Sequence, residues 1–523
     1  MKTERAAGQF ADRSGWPVYA DAPPHVRIAY SNGRSELSGR AAHDLGRRYG
    51  ADSRGLHAAW SWDGETLTAQ VDALGFYNLY YSADATGVAV SPSVLQLVAT
   101  GTDAALDTRA LGVFFRLGLF INDDTAFRHI RSLPPGGRLT WSRGRLTVTG
   151  GVPPPTIRQI SQDEAVDGFI ALTRASIRRI LDDWPGEIVL PLSGGRDSRH
   201  ILLELIHLGR APKACVTFYH GGGGPSAEAL AARAICDRVG VPHVGLGARR
   251  SRAADILRTV VLTGLCADEH YQMMPLHDHL AGQQAAALDG IGGDILSNPD
   301  DWAEDFFRLA ERGDYRGIGR GMMQGHAGVI SRPGWSGGAG AIHAPGLDDE
   351  VEDYVGRSIA GFAAAPDPYQ AFWFWNRTRR EVALVPTAMF GTAPAVYCPF
   401  LDPEVVAFCL SLPYRITRDQ QLHNLAMARA YPASADVPFA EAFRDPPTPR
   451  LARPLSKARA VLDAVRVIRA LEPEQPLHEI ARFIRGSDKL HRTPDLIYRI
   501  YRLCLEGLDA RKARRLLSLA ARP

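Results

Sequence analysis

Seven consecutive residues, Leu192-Ser193-Gly194-Gly195-Arg196-Asp197-Ser198, constrain this chain more than any other stretch. They follow the short apolar run Ile188-Val189-Leu190-Pro191 and precede a segment that reads as a helix over Arg199–Leu208. Strand, turn and helix therefore succeed one another with no spare residues. Two adjacent glycines let the backbone turn tightly and approach a ligand that side chains would block. The helix behind them directs its orphan N–H groups and positive end at the loop, an arrangement suited to phosphate. Ser193 and Ser198 add hydroxyls, whereas Asp197 is an anion whose natural place beside a phosphate is as a Mg²⁺ ligand. Two glycines alone would describe a plain strand–turn–helix elbow. The serines, the aspartate and the preceding apolar strand favour a phosphate loop. It is not a Walker loop, because no GxxxxGK[ST] occurs.

The surroundings predict an α/β region. Ser161 and Glu164 form a capping box opening a helix with Val166, Phe169, Ile170, Leu172, Ile177, Ile180 and Leu181 at helical spacing. Strand-like and helix-like runs then alternate to about Ser297, which argues for a parallel sheet. From Trp302 onward the pattern is mainly helical, with a glycine-rich loop at Gly334–Gly346. The first 150 residues instead read as short strands: Val26–Tyr30, Gly55–Trp62, Thr66–Val71, Tyr77–Ser82, Gly87–Ser91 and a hairpin over Arg138–Thr149 turning at Arg143-Gly144. Asp63-Gly64 marks a second hairpin, and Leu106–Leu117 a helix. Gly150-Gly151-Val152-Pro153-Pro154-Pro155 is the strongest break, dividing the chain into residues 1–152 and 157–523.

Composition excludes several classes. Sixty Lys and Arg against 57 Asp and Glu leave +3, too balanced to indicate a nucleic-acid binder. The six cysteines are scattered without a CxxC, which argues against a disulfide framework or zinc site and for a reducing compartment. No apolar run is long enough to span a membrane, and the N-terminal residues do not read as a signal peptide. A cytoplasmic, multidomain enzyme is expected.

The heptad resembles the SGGxDS signature of the PP-loop ATP pyrophosphatases, which bind adenine nucleotides, transfer AMP to an oxygen and retain pyrophosphate on the loop. Further segments resemble asparagine synthetases of the glutamine-dependent class. Val216-Thr217-Phe218-Tyr219-His220 looks like their second strand, where the residue matching Phe218 lies against adenine. Gly290-Ile291-Gly292-Gly293-Asp294 is similar to their GEGxDE stretch, which implies Asp294 as a second Mg²⁺ ligand. Pro399-Phe400-Leu401-Asp402 resembles their PFLD segment. Leu79-Tyr80-Tyr81 and Leu133-Pro134-Pro135-Gly136 look like landmarks of their glutaminase domain. The resemblance implies a degenerate Ntn-hydrolase-like αββα sandwich followed by a PP-loop α/β synthetase domain with a helical C-terminal part. It also implies ATP and Mg²⁺ as cofactors. Leu192, Ser193, Gly194, Gly195, Asp197, Ser198, Phe218 and Gly290 would bind nucleotide, and Asp197 and Asp294 the metal.

Three departures matter. Glutaminases of this kind use an N-terminal cysteine as nucleophile, but position 2 is Lys2 and the first cysteine is Cys215. The first domain is then a scaffold, as in the branches resembling β-lactam synthetases and lasso-peptide cyclases, where a substrate amine attacks the adenylate. The family's glutamate and arginine before PFLD are replaced by Ala395 and Tyr397; Glu228 and Asp268-Glu269-His270 are candidate substitutes, with ordinary surface acids as the alternative. The family's late lysine is absent from Pro438–Arg453, where Arg444, Arg450 and Arg453 offer charge and Lys457 is the nearest lysine. Arg377, Arg379 and Arg380 precede PFLD and suit either phosphate or a solvated helix face; Arg377 and Arg380 are taken, with Asp197 and Ser193, as candidate catalytic residues.

The other features are weaker. His270, His277 and His279 make a poor zinc pattern, and Phe372-Trp373-Phe374-Trp375 reads as a buried helix face. The basic tail over Arg482–Arg515 reads as an amphipathic helix packing on the domain rather than an RNA-binding element. The expected function is an ATP-dependent amide-bond-forming ligase that adenylates a carboxylate and has no glutaminase activity. An ammonia-using asparagine synthetase and an inactive nucleotide-binding scaffold are the alternatives. Expected partners are a small-molecule or peptide carboxylate and an amine, without nucleic acid or membrane insertion; a homodimer or a biosynthetic partner protein stays open.

Overall fold

The computed structural model describes residues 22–219, 226–248, 250–267, 270–297, 303–324, 346–418, 421–444, 461–462, 465–469, 471 and 493–521. Lys2, His220, Asp268, Glu269, most of the glycine-rich loop (334–345), Arg450, Arg453, Lys457 and the start of the basic tail lie outside these residues.

Ten short strands build the first region. They are β1 (Val26–Ser31), β2 (Arg34–Gly39), β3 (Ala42–Gly46), β4 (His57–Trp62), β5 (Thr66–Val71), β6 (Tyr80–Asp84), β7 (Gly87–Ser91), β8 (Arg131–Ser132), β9 (Arg138–Ser142) and β10 (Arg145–Thr149). They pair antiparallel into two five-stranded sheets, in the orders β2-β1-β7-β6-β8 and β10-β9-β5-β4-β3. Alternation puts Val26, Ile28, Val88 and Val90 from one sheet against Trp60, Leu67, Ala69 and Trp141 from the other, all buried. Two turns adopt positive φ at both central residues, Asn32-Gly33 and Arg143-Gly144, the geometry that matches the twist of a tight hairpin. Helices α1 (Val94–Ala99) and α2 (Thr108–Leu117) follow; α2 starts at Thr108 because the Asp107 side chain accepts from Ala110 N–H, and it stops at left-handed Gly118.

Residues 150–161 contain neither helix nor strand and lead into α3 (Gln162–Asp183). Its capping box is present as the spacing predicts: Ser161 Oγ accepts from Glu164 N–H, and the Glu164 carboxylate accepts from Ser161 N–H. Next come β11 (Ile188–Pro191), α4 (Arg196–His207), β12 (Ala214–Phe218), α5 (Ala227–Val239), β13 (His243–Leu246), α6 (Arg252–Leu262), β14 (Ala286–Leu288), α7 (Gly293–Ser297) and β15 (Val396–Tyr397). All five strands are parallel, in the order β13-β12-β11-β14-β15. The progression outward from β11 runs one way through β12 and β13 and the other way through β14 and β15. The crevice between the ends of β11 and β14 is therefore the switch point at which open parallel sheets bind ligands. The fold class is the expected one: a two-sheet antiparallel sandwich, a parallel α/β sheet and a largely helical remainder.

The segment before β15 is unusual. Phe374–Val382 and Val385–Met389 are π-helical, and Phe372, Trp373, Phe374 and Trp375 are buried, as the aromatic run predicts. At the other end, the helix Ala510–Ala521 packs against α1, burying Ala513 and Leu516, while Arg514 Nη1 donates to Ala99 O at 2.8 Å. All six cysteines are buried and none is in a disulfide. Among the described residues no helix is long and apolar enough to cross a membrane.

Candidate functional site

The loop after β11 is closed by its own serines. Ser193 N–H donates to Ser198 Oγ at 3.0 Å, the two hydroxyl oxygens lie 3.1 Å apart, and Gly195 N–H donates to Ser193 Oγ at 3.2 Å. Gly195 caps α4 in an extended conformation, so Arg196, Asp197 and Ser198 form the first helical turn. That is why the helix begins at Arg196 and not at Arg199. Leu192 is spent on the sheet: its N–H donates to Val216 O at 2.9 Å, and its carbonyl accepts from Thr217 Oγ1 at 2.6 Å.

Glycine is demanded here by space. A Cβ on Gly194 would stand 2.6 Å from Ala440 Cβ and 3.0 Å from Glu228 Cα. A Cβ on Gly290 would stand 2.9 Å from Asp197 Cβ, and one on Gly293 only 2.5 Å from Asp197 Cγ. The Gly290–Asp294 segment after β14 thus lies directly against the loop after β11. Asp294 N–H donates to Asp197 Oδ2 at 2.9 Å, which joins the two strand ends. Burial pushes the Asp197 carboxyl well above the usual range, and the negative charge of Asp294 pushes it further. Asp289, at the end of β14, is pushed up to about 6 by burial. Acidic groups held this close favour a cation between them, and the exposed Asp294 and partly exposed Asp197 leave room for one. Among the described residues no group of three or more His, Cys, Asp or Glu is placed to hold a metal. Asp197 and Asp294 are the side chains at this junction that could serve as ligands of a hard cation.

Glu228, one of the two candidate substitutes read from the sequence, reaches the loop from α5 and accepts from Gly194 N–H at 2.7 Å. Other contributors carried no mark in the sequence. Phe439 packs against two guanidinium groups, with Arg199 4.0 Å and Arg196 4.6 Å from its ring centroid. Arg199 also donates to the carbonyls of Val437 and Pro438, so the segment 437–441 is fastened over α4. His423 reaches Asp197 from behind, Nδ1 to Oδ1 at 3.5 Å. Phe218, at the end of β12, is half-buried beside the loop's own strand.

Arg380 is not brought to the loop. Its guanidinium is fully buried between the two regions and donates to the carbonyls of Asn122 (2.5 Å) and Asp124 (2.8 Å) and to Asn78 Oδ1. Arg379 does likewise with Asn122 O, Leu133 O and Asp123. These arginines clamp the sandwich to the parallel α/β region, where desolvation is repaid by several carbonyls at once. Arg377 stays half-exposed one turn from Glu381, Nε to Oε2 at 4.0 Å, and near the Trp373 ring. His270 forms a buried pair with Glu381 at 2.5 Å, and His277 Nδ1 lies 2.8 Å from Met389 O. Ala395 is buried in the main core, and Tyr397 donates to Asp183 at 2.5 Å, away from the loop. The PFLD residues serve the frame: Asp402 receives Arg54 at 2.6 Å and Arg179 at 2.8 Å.

Residues 30–150 match the family model of the glutamine amidotransferase domain. No curated protein matches the chain. The facing antiparallel sheets are therefore those of an amidotransferase-type domain. Its presence ahead of a parallel α/β sheet supports an enzyme of the asparagine synthetase type.

Proposed function

We propose that the chain is an ATP-dependent amide-bond-forming ligase that adenylates a substrate carboxylate, releases AMP and pyrophosphate, and performs no glutamine hydrolysis. The observation that carries this reading is the junction of two strand ends at the switch point, where a glycine-lined loop and the Asp197–Asp294 pair meet. Ser193, Gly194 and Gly195 would hold the departing pyrophosphate through hydroxyl and backbone donors. Leu192, Phe218 and Gly290 would line the nucleotide, and Ser198 keeps the loop closed. Asp197 and Asp294 would hold Mg²⁺, which when bound supplies charge neutralisation at the bridging phosphate oxygen. No cysteine lies within the amidotransferase-type domain, so nitrogen comes from an amine or ammonia rather than from glutamine cleaved there.

Ammonia-dependent asparagine synthesis is the narrower alternative. A nucleotide-binding scaffold without catalysis is favoured by two observations: Ala395 offers no carboxylate to an incoming amine, and Glu228 occupies the Gly194 N–H that a phosphate would use. One incubation separates the three. The protein with ATP, Mg²⁺ and a panel of carboxylates including aspartate, each with ammonia or an amine, yields AMP, pyrophosphate and amide if the ligase reading holds. Asparagine alone selects the narrower alternative. Nucleotide binding without AMP for every pair refutes the ligase.

A further inference from the structure

Beneath the loop lies a buried pair of histidines that the proposed chemistry does not use directly. His200 comes from α4 and His423 from the helix Gln421–Ala430, and both are fully inaccessible to solvent. His200 Nδ1 is 3.0 Å from His423 Nε2, and His423 Nδ1 is 2.9 Å from Ser297 Oγ and 3.5 Å from Asp197 Oδ1. Phe169 and Phe400 flank both rings, with centroids 5.3 to 5.8 Å away.

The donor directions follow from a single hydrogen. The Ser297 hydroxyl donates to Gly293 O, so toward His423 it accepts. His423 must then carry its proton on Nδ1, which leaves Nε2 as the acceptor for His200 Nδ1–H. His200 Nε2 has no partner, which a bare ring nitrogen tolerates better than a buried N–H. Burial holds both rings neutral, with His200 lowered to about 4. The result is one directed chain: His200 to His423, His423 to Ser297 and the edge of Asp197, Ser297 to Gly293 O. Gly293 O belongs to the peptide whose N–H, on Asp294, donates to Asp197 Oδ2.

We propose that His423 is a positioning residue that fixes the relative placement of Asp197 and Asp294 through its Nδ1–H, and that His200 sets the tautomer that makes this possible. The chain ties together three segments that meet only in the fold, α4, α7 and the helix Gln421–Ala430. His423 touches no substrate; it acts on the side of Asp197 turned away from the crevice. The metal-positioning consequence rests on reading Asp197 and Asp294 as cation ligands, but the hydrogen-bond chain itself does not.

Two amides of different length test the geometry. Asparagine places its side-chain N–H where Nδ1 lies, and glutamine places it where Nε2 lies. His423→Asn should keep the donor to Ser297, whereas His423→Gln keeps polarity and volume but loses it. Binding of a fluorescent α,β-methylene ATP analogue by the full chain is titrated with Mg²⁺. Half-saturating Mg²⁺ should stay within about threefold of wild type for His423→Asn and rise about tenfold or more for His423→Gln, the range typical of outer-sphere partners. Equal values for the two variants, both folded by thermal unfolding, overturn the proposal. Wild-type nucleotide binding that ignores Mg²⁺ overturns the metal reading instead. The chain is then judged by ¹⁵N-histidine spectra of the wild type, with resonances assigned from the variants: His200 and His423 as neutral Nδ1–H tautomers support it, and an Nε2–H tautomer at His423 overturns it.

Discussion

Gly293→Ala puts the largest predicted effect on the smallest change. The added Cβ would lie 2.5 Å from Asp197 Cγ and 2.7 Å from Oδ1, about 1 Å inside the 3.4 Å at which ordinary contact begins. Gly293 opens α7 and its carbonyl holds Ser297, while Asp197 is held by Asp294 N–H at 2.9 Å, so neither side yields without losing a hydrogen bond. Overpacking of this kind costs about 1–3 kcal/mol. The softer side is the partly exposed Asp197 carboxylate, so the cost should appear mainly in ligand binding. At tenfold per 1.4 kcal/mol, Mg²⁺-dependent ATP affinity should fall roughly five- to 150-fold. Equilibrium dialysis with ATP and Mg²⁺ measures this, and circular dichroism melting checks that the fold persists. Gly247→Ala is the control, because a Cβ there meets nothing within 4 Å. Wild-type affinity in Gly293→Ala would refute the claim that the two strand ends converge on the nucleotide site.

Other expectations are independent of that one. Glu228→Gln removes a negative charge from Gly194 N–H, worth about 1 kcal/mol near a phosphate even at the dielectric of water, so ATP should bind at least roughly fivefold tighter; weaker binding refutes it. Arg380→Met strands the buried Asp124 carbonyl and Asn78 Oδ1, since Asn122 O keeps Arg379, and should cost about 2–3 kcal/mol in urea unfolding, with the sandwich becoming protease-sensitive; an unchanged midpoint contradicts the clamp. Burial raises the Asp367 carboxyl from 3.8 to about 6, so the folded state keeps a proton that the unfolded chain has already lost. Its contribution to stability therefore declines as pH rises from about 4 to about 6. Asp367→Asn should gain melting temperature relative to wild type across that window, and a pH-independent difference would count against it. Glutamine incubated with the protein should release no glutamate, and release would show a nucleophile other than a thiol of the amidotransferase-type domain.

The parts of this molecule legible from residue order were those where local chemistry decides. Ser161 with Glu164 announces a capping box, and Gly194-Gly195 between an apolar run and a helix announces a close-approach turn, because only the missing Cβ fits there. Strand β2 escaped notice for the opposite reason. Every residue of Arg34–Gly39 is exposed, so no buried face imposes alternation. Arg380 shows how charge misleads: a basic cluster ahead of PFLD suits phosphate equally well, yet its acceptors are carbonyls of a distant loop. His423 is illegible for the same reason. Its partners come from Asp197, His200 and Ser297, and nothing in a single helical histidine reveals them.

The central claim is that ATP is cleaved between its α- and β-phosphates at the loop after β11. Exchange of labelled pyrophosphate into ATP, with Mg²⁺ and a carboxylate panel, tests it most directly. The account predicts exchange in the wild type and none in Asp197→Ala, with the variant's fold intact. Exchange that survives Asp197→Ala, or a wild type that yields ADP and phosphate in place of AMP and pyrophosphate, would contradict it.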